Sequence, residues 1–186
     1  KTTAAIAATS WLPASSYARI MGSNDRLHMA VIGTGGMGTV HTNGLVKRKQ
    51  EDNIDVIQVC DVYRRRLNNA MNVIGHGEDC GTMRHEDVLD NGDVDAVVIA
   101  TPDHWHTRIA VEAMESGKDV YCEKPLSLTI PQALECRDAV RRTGRTLQVG
   151  PQGTSSGAFW TARDAIGEGR IGKPVWSQGS YCRNSR

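Results

Sequence analysis

Residues 27–38 read LHMAVIGTGGMG, a short apolar run that stops at three glycines with Gly-x-Gly-x-x-Gly spacing. The spacing alone is a weak signal, and its context decides what it means. Here the apolar run has the length of a strand. Residues 37–49, which follow the glycines, have a helical pattern. A second apolar run, residues 54–61, follows and ends in an acid. This context favours a dinucleotide-binding strand–loop–helix–strand unit over a plain strand–helix turn.

Each residue of the glycine motif has its own physical role in such a unit. Gly33 permits the tight turn after the strand, Gly35 lets the backbone approach a pyrophosphate, and Gly38 lets the helix pack close to the strand. Gly36 and Met37 lie at the start of the helix, where free N–H groups and the helix dipole favour phosphate. We predict that these five residues bind the phosphates of a cofactor.

The alternation of strand and helix repeats along the chain. Predicted strands cover residues 27–33, 54–61, 94–101, 119–123 and 146–150. Predicted helices cover residues 37–49, 63–74 and 107–116, and a further one begins with the capping-box pair Thr129 and Gln132 and stops at Gly144. The strands are nearly continuous runs of Val and Ile, which is typical of strands covered on both faces. The fold class is therefore α/β, with a Rossmann-like doubly wound parallel sheet over residues 24–150.

The composition excludes several classes of protein. The chain has 186 residues, of which 39% are hydrophobic and 23% charged, so it is not a disordered polyampholyte, a collagen-like chain or a multi-span membrane protein. The net charge is +1 and no block of five like charges occurs. The sequence therefore lacks the basic footprint of a nucleic-acid-binding protein.

The two ends of the chain differ from its centre. Residues 1–18 contain a weakly hydrophobic stretch that is too short to span a bilayer, followed by small residues, which is typical of a partial signal peptide. We expect export to the periplasm by a twin-arginine-type signal; the alternative is a frayed amphipathic helix. After a linker at 151–157, residues 158–166 predict one helix and 175–181 one strand. One helix and one strand cannot bury a core of their own, so they either pack on the first domain or, as we expect, 151–186 is the truncated start of an α+β substrate domain.

The five cysteines, Cys60, Cys80, Cys122, Cys136 and Cys182, are odd in number and contain no Cys-x-x-Cys pair. Cys60 and Cys122 fall in predicted strands, where cysteine behaves as a small hydrophobic residue. The sequence therefore predicts no disulfide framework, even with export.

An acid at the end of the second strand bears on the choice of cofactor. Asp61 can accept hydrogen bonds from a ribose 2′-hydroxyl and would repel a 2′-phosphate, which favours NAD over NADP. Three arginines follow it, and one of them could turn inward and neutralise a 2′-phosphate; we take Arg65, the middle one, as the candidate. NADP therefore stays possible.

Two further motifs follow predicted strands. Residues 101–106 read TPDHWH, and because ligands bind beyond the carboxyl ends of parallel strands, these side chains are expected at the cleft. His104 and His106 have His-x-His spacing, but no third and fourth ligand accompany them, so we predict no metal. Trp105 either lines the nicotinamide site or packs under the loop. Lys124, in the EKP motif, is either a solvated charge or an ammonium that holds a substrate oxygen while hydride leaves.

With the glycine motif, Asp61, TPDHWH and EKP in this order, the chain resembles the glucose–fructose oxidoreductase / inositol dehydrogenase / MocA family. The resemblance implies a Rossmann domain followed by an α/β domain with an open sheet, an NAD(P) cofactor, a sugar or polyol-like substrate and homo-oligomers of the full-length form. It also implies roles for single residues. Thr101, Pro102 and His106, with His104 in the same loop, would border the nicotinamide, Glu123 would contact the cofactor, and Lys124 would be the catalytic lysine.

Three functions stay open. The first is an NAD(P)-dependent oxidoreductase represented by its cofactor domain, in which none of the six histidines takes the role of the family's general base. We therefore expect negligible turnover from residues 1–186 alone. The second is a glycosidase that retains NAD and uses transient oxidation and elimination. The third is a non-catalytic nucleotide-binding module.

Overall fold

The structure is a computed structural model and describes residues 26–179; the predicted signal peptide lies outside the described residues. The strands are β1 (Leu27–Ile32), β2 (Ile54–Cys60), β3 (Gly81–Thr82), β4 (Ala96–Ile99), β5 (Asp119–Glu123) and β6 (Leu147–Gly150). The helices are α1 (Gly36–Arg48), α2 (Arg64–Ile74), α3 (His85–Leu89), α4 (His106–Glu115), α5 (Ile130–Thr143) and α6 (Gly157–Gly167). Short 3₁₀ turns occupy Glu78–Cys80, Asp103–Trp105 and Gln152–Ser155.

The six strands form one sheet in the order β3-β2-β1-β4-β5-β6. The pairs β2–β3, β1–β2, β1–β4 and β4–β5 are parallel. This is the order of a Rossmann fold, in which the chain reverses its direction of winding between β1 and β4. The predicted fold class is confirmed.

Both faces of the sheet are buried, as the continuous apolar strands predict. Along β1, Ala30 and Ile32 contribute to one core cluster while Val31 contributes to the other. In β4, Val97 and Val98 divide in the same way. Because each strand supplies side chains to two layers of helices, its apolar residues do not alternate with polar ones.

The chain divides into two compact units after Val149. The first contains the whole sheet apart from the last residue of β6. In the second, α6 contains no buried residue. The sequence predicts a strand at 175–181, but residues 175–179 form none, and the remaining two lie outside the described range.

Local sequence signals place most of the helix ends. Thr129 and Gln132 form the predicted capping box at the start of α5, and Gly144 ends it in the left-handed conformation. The sequence pattern predicts neither β3 nor α3. β3 has only two residues, Gly81 and Thr82, which is too short for a period-2 pattern to show. The helix α3 has five residues, fewer than two turns.

Candidate functional site

The register of the sheet brings the ends of four strands to one level. Ile32 pairs with Cys60 of β2 and with Ile99 of β4, and Ile99 pairs with Cys122 of β5. The residues that follow this row are Asp61, Gly33, Ala100 and Glu123. Three of them are predicted site residues, and Ala100 directly precedes the TPDHWH motif. The carboxyl edge of the sheet therefore carries the candidate site.

Two glycines of the phosphate loop have no room for a side chain. Gly33 has a φ of +89°, and a Cβ there would lie 2.7 Å from the carbonyl carbon of Ala100. A Cβ on Gly38 would collide with the carbonyl oxygen of Gly33. The loop is therefore folded tightly over the end of β1, with the start of α1 against it.

The start of α1 is suited to an anion. Gly35 is the N-cap and supplies no side-chain hydrogen bond, and the first turn contains no acidic residue. A Cβ on Gly36 would meet nothing within 4 Å, so the space beside the loop is open. Helix N-termini with uncapped N–H groups bind phosphate. These residues fit the pyrophosphate of a dinucleotide.

The carboxylate of Asp61 is buried and holds the loop. Its Oδ2 accepts hydrogen bonds from the backbone N (2.8 Å) and the hydroxyl (3.0 Å) of Thr34, and its Oδ1 accepts one from the backbone N of Tyr63 (2.7 Å). A carboxylate offers about four acceptor positions. Asp61 therefore orders the loop and keeps capacity for a ribose hydroxyl.

A cleft of about 370 Å³ opens beside Asp61. Of the predicted site residues, Gly33, Gly35, Asp61, Thr101 and Pro102 line this cleft. The others do not: Gly36, Met37, Gly38, Arg65, His104, His106, Glu123 and Lys124.

Of the three consecutive arginines of α2, the one that lines this cleft is Arg66, not Arg65. Arg66 Nη1 lies 3.4 Å from the position of a Cβ on Gly35, and its guanidinium lies 5.7 Å from the centre of the Tyr63 ring. Arg65 is exposed and does not line the cleft. Arg66 lies three residues, about one helical turn, after the N-cap residue Tyr63, so the two share a face of α2 on which Arg65 does not lie.

The cleft also contains residues that the sequence analysis missed. Met83, Arg84 and His85 line it, and they follow β3. Because β3 was not predicted, nothing in the sequence placed these residues at the carboxyl edge.

The loop after β4 presents one buried polar atom without a partner. Thr101 Oγ1 is the buried side-chain oxygen that finds no hydrogen bond within residues 26–179. Buried hydroxyl groups are rarely left unpaired. Since Thr101 lines the cleft, its hydroxyl is suited to a cofactor group.

The other residues of this loop have different roles. Trp105 lines the cleft and is 38% exposed, with the Arg108 guanidinium 5.3 Å from its ring centre. His104 is exposed. His106 is buried, and its ring nitrogens lie 2.7 Å from the carbonyl oxygen of Pro125 and 2.8 Å from that of Thr101. Its contacts are therefore to the protein backbone, which leaves neither nitrogen for a cofactor or a metal.

Glu123 and Lys124 differ sharply in exposure. Glu123 is 3% exposed, and its Oε1 lies 2.8 Å from His41 Nε2, so the carboxylate faces α1 rather than the cleft. Lys124 is exposed just beyond the end of β5. Lys118, by contrast, is buried and donates to the carbonyl oxygens of Asn91 and Val94, and burial lowers its pKa. Lys118 is structural, which leaves Lys124 as the lysine at the carboxyl edge.

Cysteine and metal chemistry find no support at this edge. Burial, followed by the charge of Asp61, raises the pKa of Cys60 to about 12, so its thiol is not a nucleophile at neutral pH. The four cysteines that the structure describes are free. Over the described range, no group of three or more His, Cys, Asp or Glu residues is arranged to hold a metal ion.

Residues 26–179 contain no helix that is long and apolar enough to cross a membrane.

Comparisons with known proteins agree with this geometry. Residues 27–151 match the model of the oxidoreductase family with an NAD-binding Rossmann fold. The chain is 30% identical over 154 residues to a scyllo-inositol 2-dehydrogenase (NAD(+)) of Bacillus subtilis, covering 83% of this chain and 44% of the relative. It is 28% identical over 193 residues to a glycosyl hydrolase family 109 protein of Stenotrophomonas maltophilia, covering 98% of this chain and 41% of the relative.

A solved structure shows the same fold. The WlbA dehydrogenase from Chromobacterium violaceum, in complex with NADH and UDP-GlcNAcA, superposes with a TM-score of 0.72 at 27% identity. The match covers 81% of this chain and 42% of that one. The chain thus spans less than half the length of these relatives, and the match to the family model covers its whole sheet. It belongs to the Gfo/Idh/MocA oxidoreductase family and contains that family's NAD-binding Rossmann fold.

Proposed function

We propose that this chain is the cofactor domain of an enzyme that transfers hydride between nicotinamide and a sugar or polyol-like substrate. The observation that carries the proposal is the convergence of the glycine loop, Asp61, the unpaired Thr101 hydroxyl and Lys124 at one edge of the sheet. The names of the relatives support a polyol or sugar-derived substrate.

The residues of the chain have distinct tasks in this reaction. The N-terminus of α1 binds the pyrophosphate, and Asp61 binds a ribose hydroxyl while it holds the loop through Thr34. The bound nicotinamide supplies the hydride acceptor or donor. Lys124 holds the reacting oxygen of the substrate through its ammonium group. Losing such a positioned group typically costs about 10²–10⁴-fold in rate.

Cofactor binding and turnover are tested separately. NADH fluorescence titration of this chain tests the cofactor site, and Gly38→Ala is expected to abolish the signal. Turnover is tested in a full-length protein carrying this chain, with NAD and a panel of inositols and aldoses. Reduction of NAD that Lys124→Met abolishes, without change in NADH affinity, supports the proposal. Equal turnover in Lys124→Met would refute the role of the lysine.

We propose NAD rather than NADP as the preferred cofactor. The support is the buried carboxylate of Asp61 beside the cleft, which repels a 2′-phosphate. Arg66 lines the same cleft, but its guanidinium lies beside Gly35 of the phosphate loop, at the place expected for the pyrophosphate that both cofactors share. Parallel titrations with NADH and NADPH test the preference, and tighter binding of NADPH would overturn it.

A second candidate is a glycosidase that uses transient oxidation. It is favoured by the similarity to the glycosyl hydrolase family 109 protein, which extends over 98% of this chain. Release of a sugar from a nitrophenyl glycoside without net NADH would support the glycosidase. Accumulation of NADH with free polyol would support the dehydrogenase.

We further propose that the protein is exported and that its full-length form is a homo-oligomer. The weakly hydrophobic stretch in residues 1–18 supports export, and the family resemblance supports the oligomer. Fractionation of cells that express the protein with and without residues 1–18 tests export; equal cytoplasmic retention would contradict it. Light scattering tests the oligomer, and a monomeric mass would contradict it.

A further inference from the structure

Two histidines contact the residues next to Lys124, one on each side of it. Before it, Glu123 Oε1 lies 2.8 Å from Nε2 of His41, and Glu123 Oε2 accepts a hydrogen bond from the backbone N of Lys124 at 3.3 Å. After it, the carbonyl oxygen of Pro125 lies 2.7 Å from Nδ1 of His106. The lysine therefore extends from a segment that is fixed at two points.

These histidines come from the helices that begin at the cofactor loops. His41 lies on α1, which starts at the glycine loop, and His106 is the first residue of α4, which follows the TPDHWH loop. His106 also contacts the carbonyl oxygen of Thr101 at 2.8 Å. Each histidine thus connects the lysine segment to a segment that lines or borders the cofactor site.

The pair of His41 and Glu123 is not explained by packing alone. Glu123 is 3% exposed, and burying a carboxylate is unfavourable unless hydrogen bonds compensate for the lost water. An apolar side chain would fill the position without that cost. The ring of His41 is itself supported by an edge contact to Tyr121, with ring centres 5.3 Å apart. His41 and the Glu123 carboxylate thus form a hydrogen-bonded link from α1 to the backbone N of Lys124.

We propose that His41 is a positioning residue for Lys124: it orients the Glu123 carboxylate, which fixes the lysine's backbone relative to the cofactor loop. This inference rests on the proposed function, in which Lys124 holds the substrate oxygen. His41 itself touches neither substrate nor cofactor in this scheme.

Three variants of a full-length protein carrying this chain test the proposal. His41→Leu removes the hydrogen bond, whereas His41→Gln places an amide N–H where Nε2 stands. The matched control is His76→Leu, because His76 Nε2 also contacts a carboxylate, that of Asp55 at 3.0 Å. That pair lies at the amino end of β2, away from the lysine.

We expect His41→Leu to lower kcat about 10–100-fold, as loss of an outer hydrogen-bonding partner typically does, with unchanged NADH affinity. His41→Gln is expected to restore kcat to within about threefold of wild type, and His76→Leu to leave kcat unchanged. A second readout needs no turnover. After reductive ¹³C-methylation of the lysines, the Lys124 resonance, identified with Lys124→Arg, shifts in His41→Leu and returns in His41→Gln.

The outcomes separate this inference from the function on which it rests. Full activity of Lys124→Met would refute the proposed function. If Lys124→Met is inactive, wild-type kcat in His41→Leu, or equal impairment in His41→Gln and His41→Leu, would overturn the role of His41. Should His41→Leu fail to fold, the ¹³C resonance and kcat of His41→Gln and His41→Asn decide, because asparagine is too short to reach Glu123.

Discussion

The carboxylate of Asp61 binds the protein's own backbone as well as facing the cleft. Its three hydrogen bonds to Thr34 and Tyr63 order the loop over which a dinucleotide lies. The sequence predicts the position of this acid, but not that it holds the loop. Nor does it distinguish Arg66 from Arg65, because adjacent arginines differ only in the face of α2 on which they lie.

Arginine substitutions test that difference. Arg66 Nη1 lies 3.4 Å from the Cβ position of Gly35, at the place expected for the pyrophosphate. Hydrogen bonds to charged groups contribute about 1.5–3 kcal/mol, so Arg66→Ala is expected to weaken both NADH and NADPH binding about tenfold or more. Arg65→Ala is the control and should leave both affinities unchanged. A loss confined to NADPH would instead place Arg66 at the 2′-phosphate.

At the scale of single elements, two of the three glycines of α1 lie in opposite environments. Gly38 lies against Gly33, where a Cβ collides with a carbonyl oxygen, whereas a Cβ on Gly44 would meet nothing within 4 Å. Gly38→Ala is expected to cost about 1–3 kcal/mol or more of unfolding free energy through overpacking. Gly44→Ala is expected to stabilise the protein by about 0.5–1 kcal/mol, since glycine is unfavourable inside a helix. Urea unfolding measures both, and equal effects would contradict the geometry.

The capping box of α5 gives a second test at this scale. The Thr129 hydroxyl oxygen accepts a hydrogen bond from the backbone N of Gln132, and Gln132 Oε1 accepts one from the backbone N of Thr129. Thr129→Ala is expected to lower the unfolding free energy by about 1 kcal/mol. Thr129→Ser keeps the hydroxyl and should retain most of the stability, so a similar loss in both variants would count against the cap.

Most of the elements were predictable because their signals are local. A continuous apolar strand, a capping box and a helix-ending glycine each act within a few residues. β3 and the cleft residues after it were not predictable, since two residues form β3 through pairing with Val59 and Cys60. The pairing of His41 with Glu123 joins residues far apart in sequence, and only the fold brings them together.

At the scale of the whole molecule, the amino edge of the sheet carries a buried carboxylate, Asp55, that is paired with basic side chains. At the amino edge, Asp55 lies 2.8 Å from Lys49 Nζ and 3.0 Å from His76 Nε2. Burial acts to raise the pKa of the Asp55 carboxyl, but its hydrogen bonds to Lys49 and His76 outweigh burial and lower the pKa below its ordinary value of 3.8. This group therefore couples folding to pH.

The sign of that coupling gives a testable prediction. The unfolded carboxyl takes up its proton at higher pH than the folded one, so the stabilisation from Asp55 is complete above pH 3.8 and is lost as the pH falls through the folded pKa. Asp55→Asn is expected to cost about 1–3 kcal/mol at pH 7 and less at pH 3. Thermal unfolding from pH 7 to 3 measures the difference, and a constant loss would contradict the assignment.

The structure of the glycine loop affects the entropy of nucleotide binding. Gly33 and Gly38 pack against their neighbours with no room for a Cβ, and the Asp61 carboxylate holds the loop through Thr34 without a ligand. Binding then requires little ordering of the chain, and immobilising flexible segments is one of the main entropic penalties of association. We therefore expect calorimetry of NADH binding to this chain to show no large unfavourable conformational entropy.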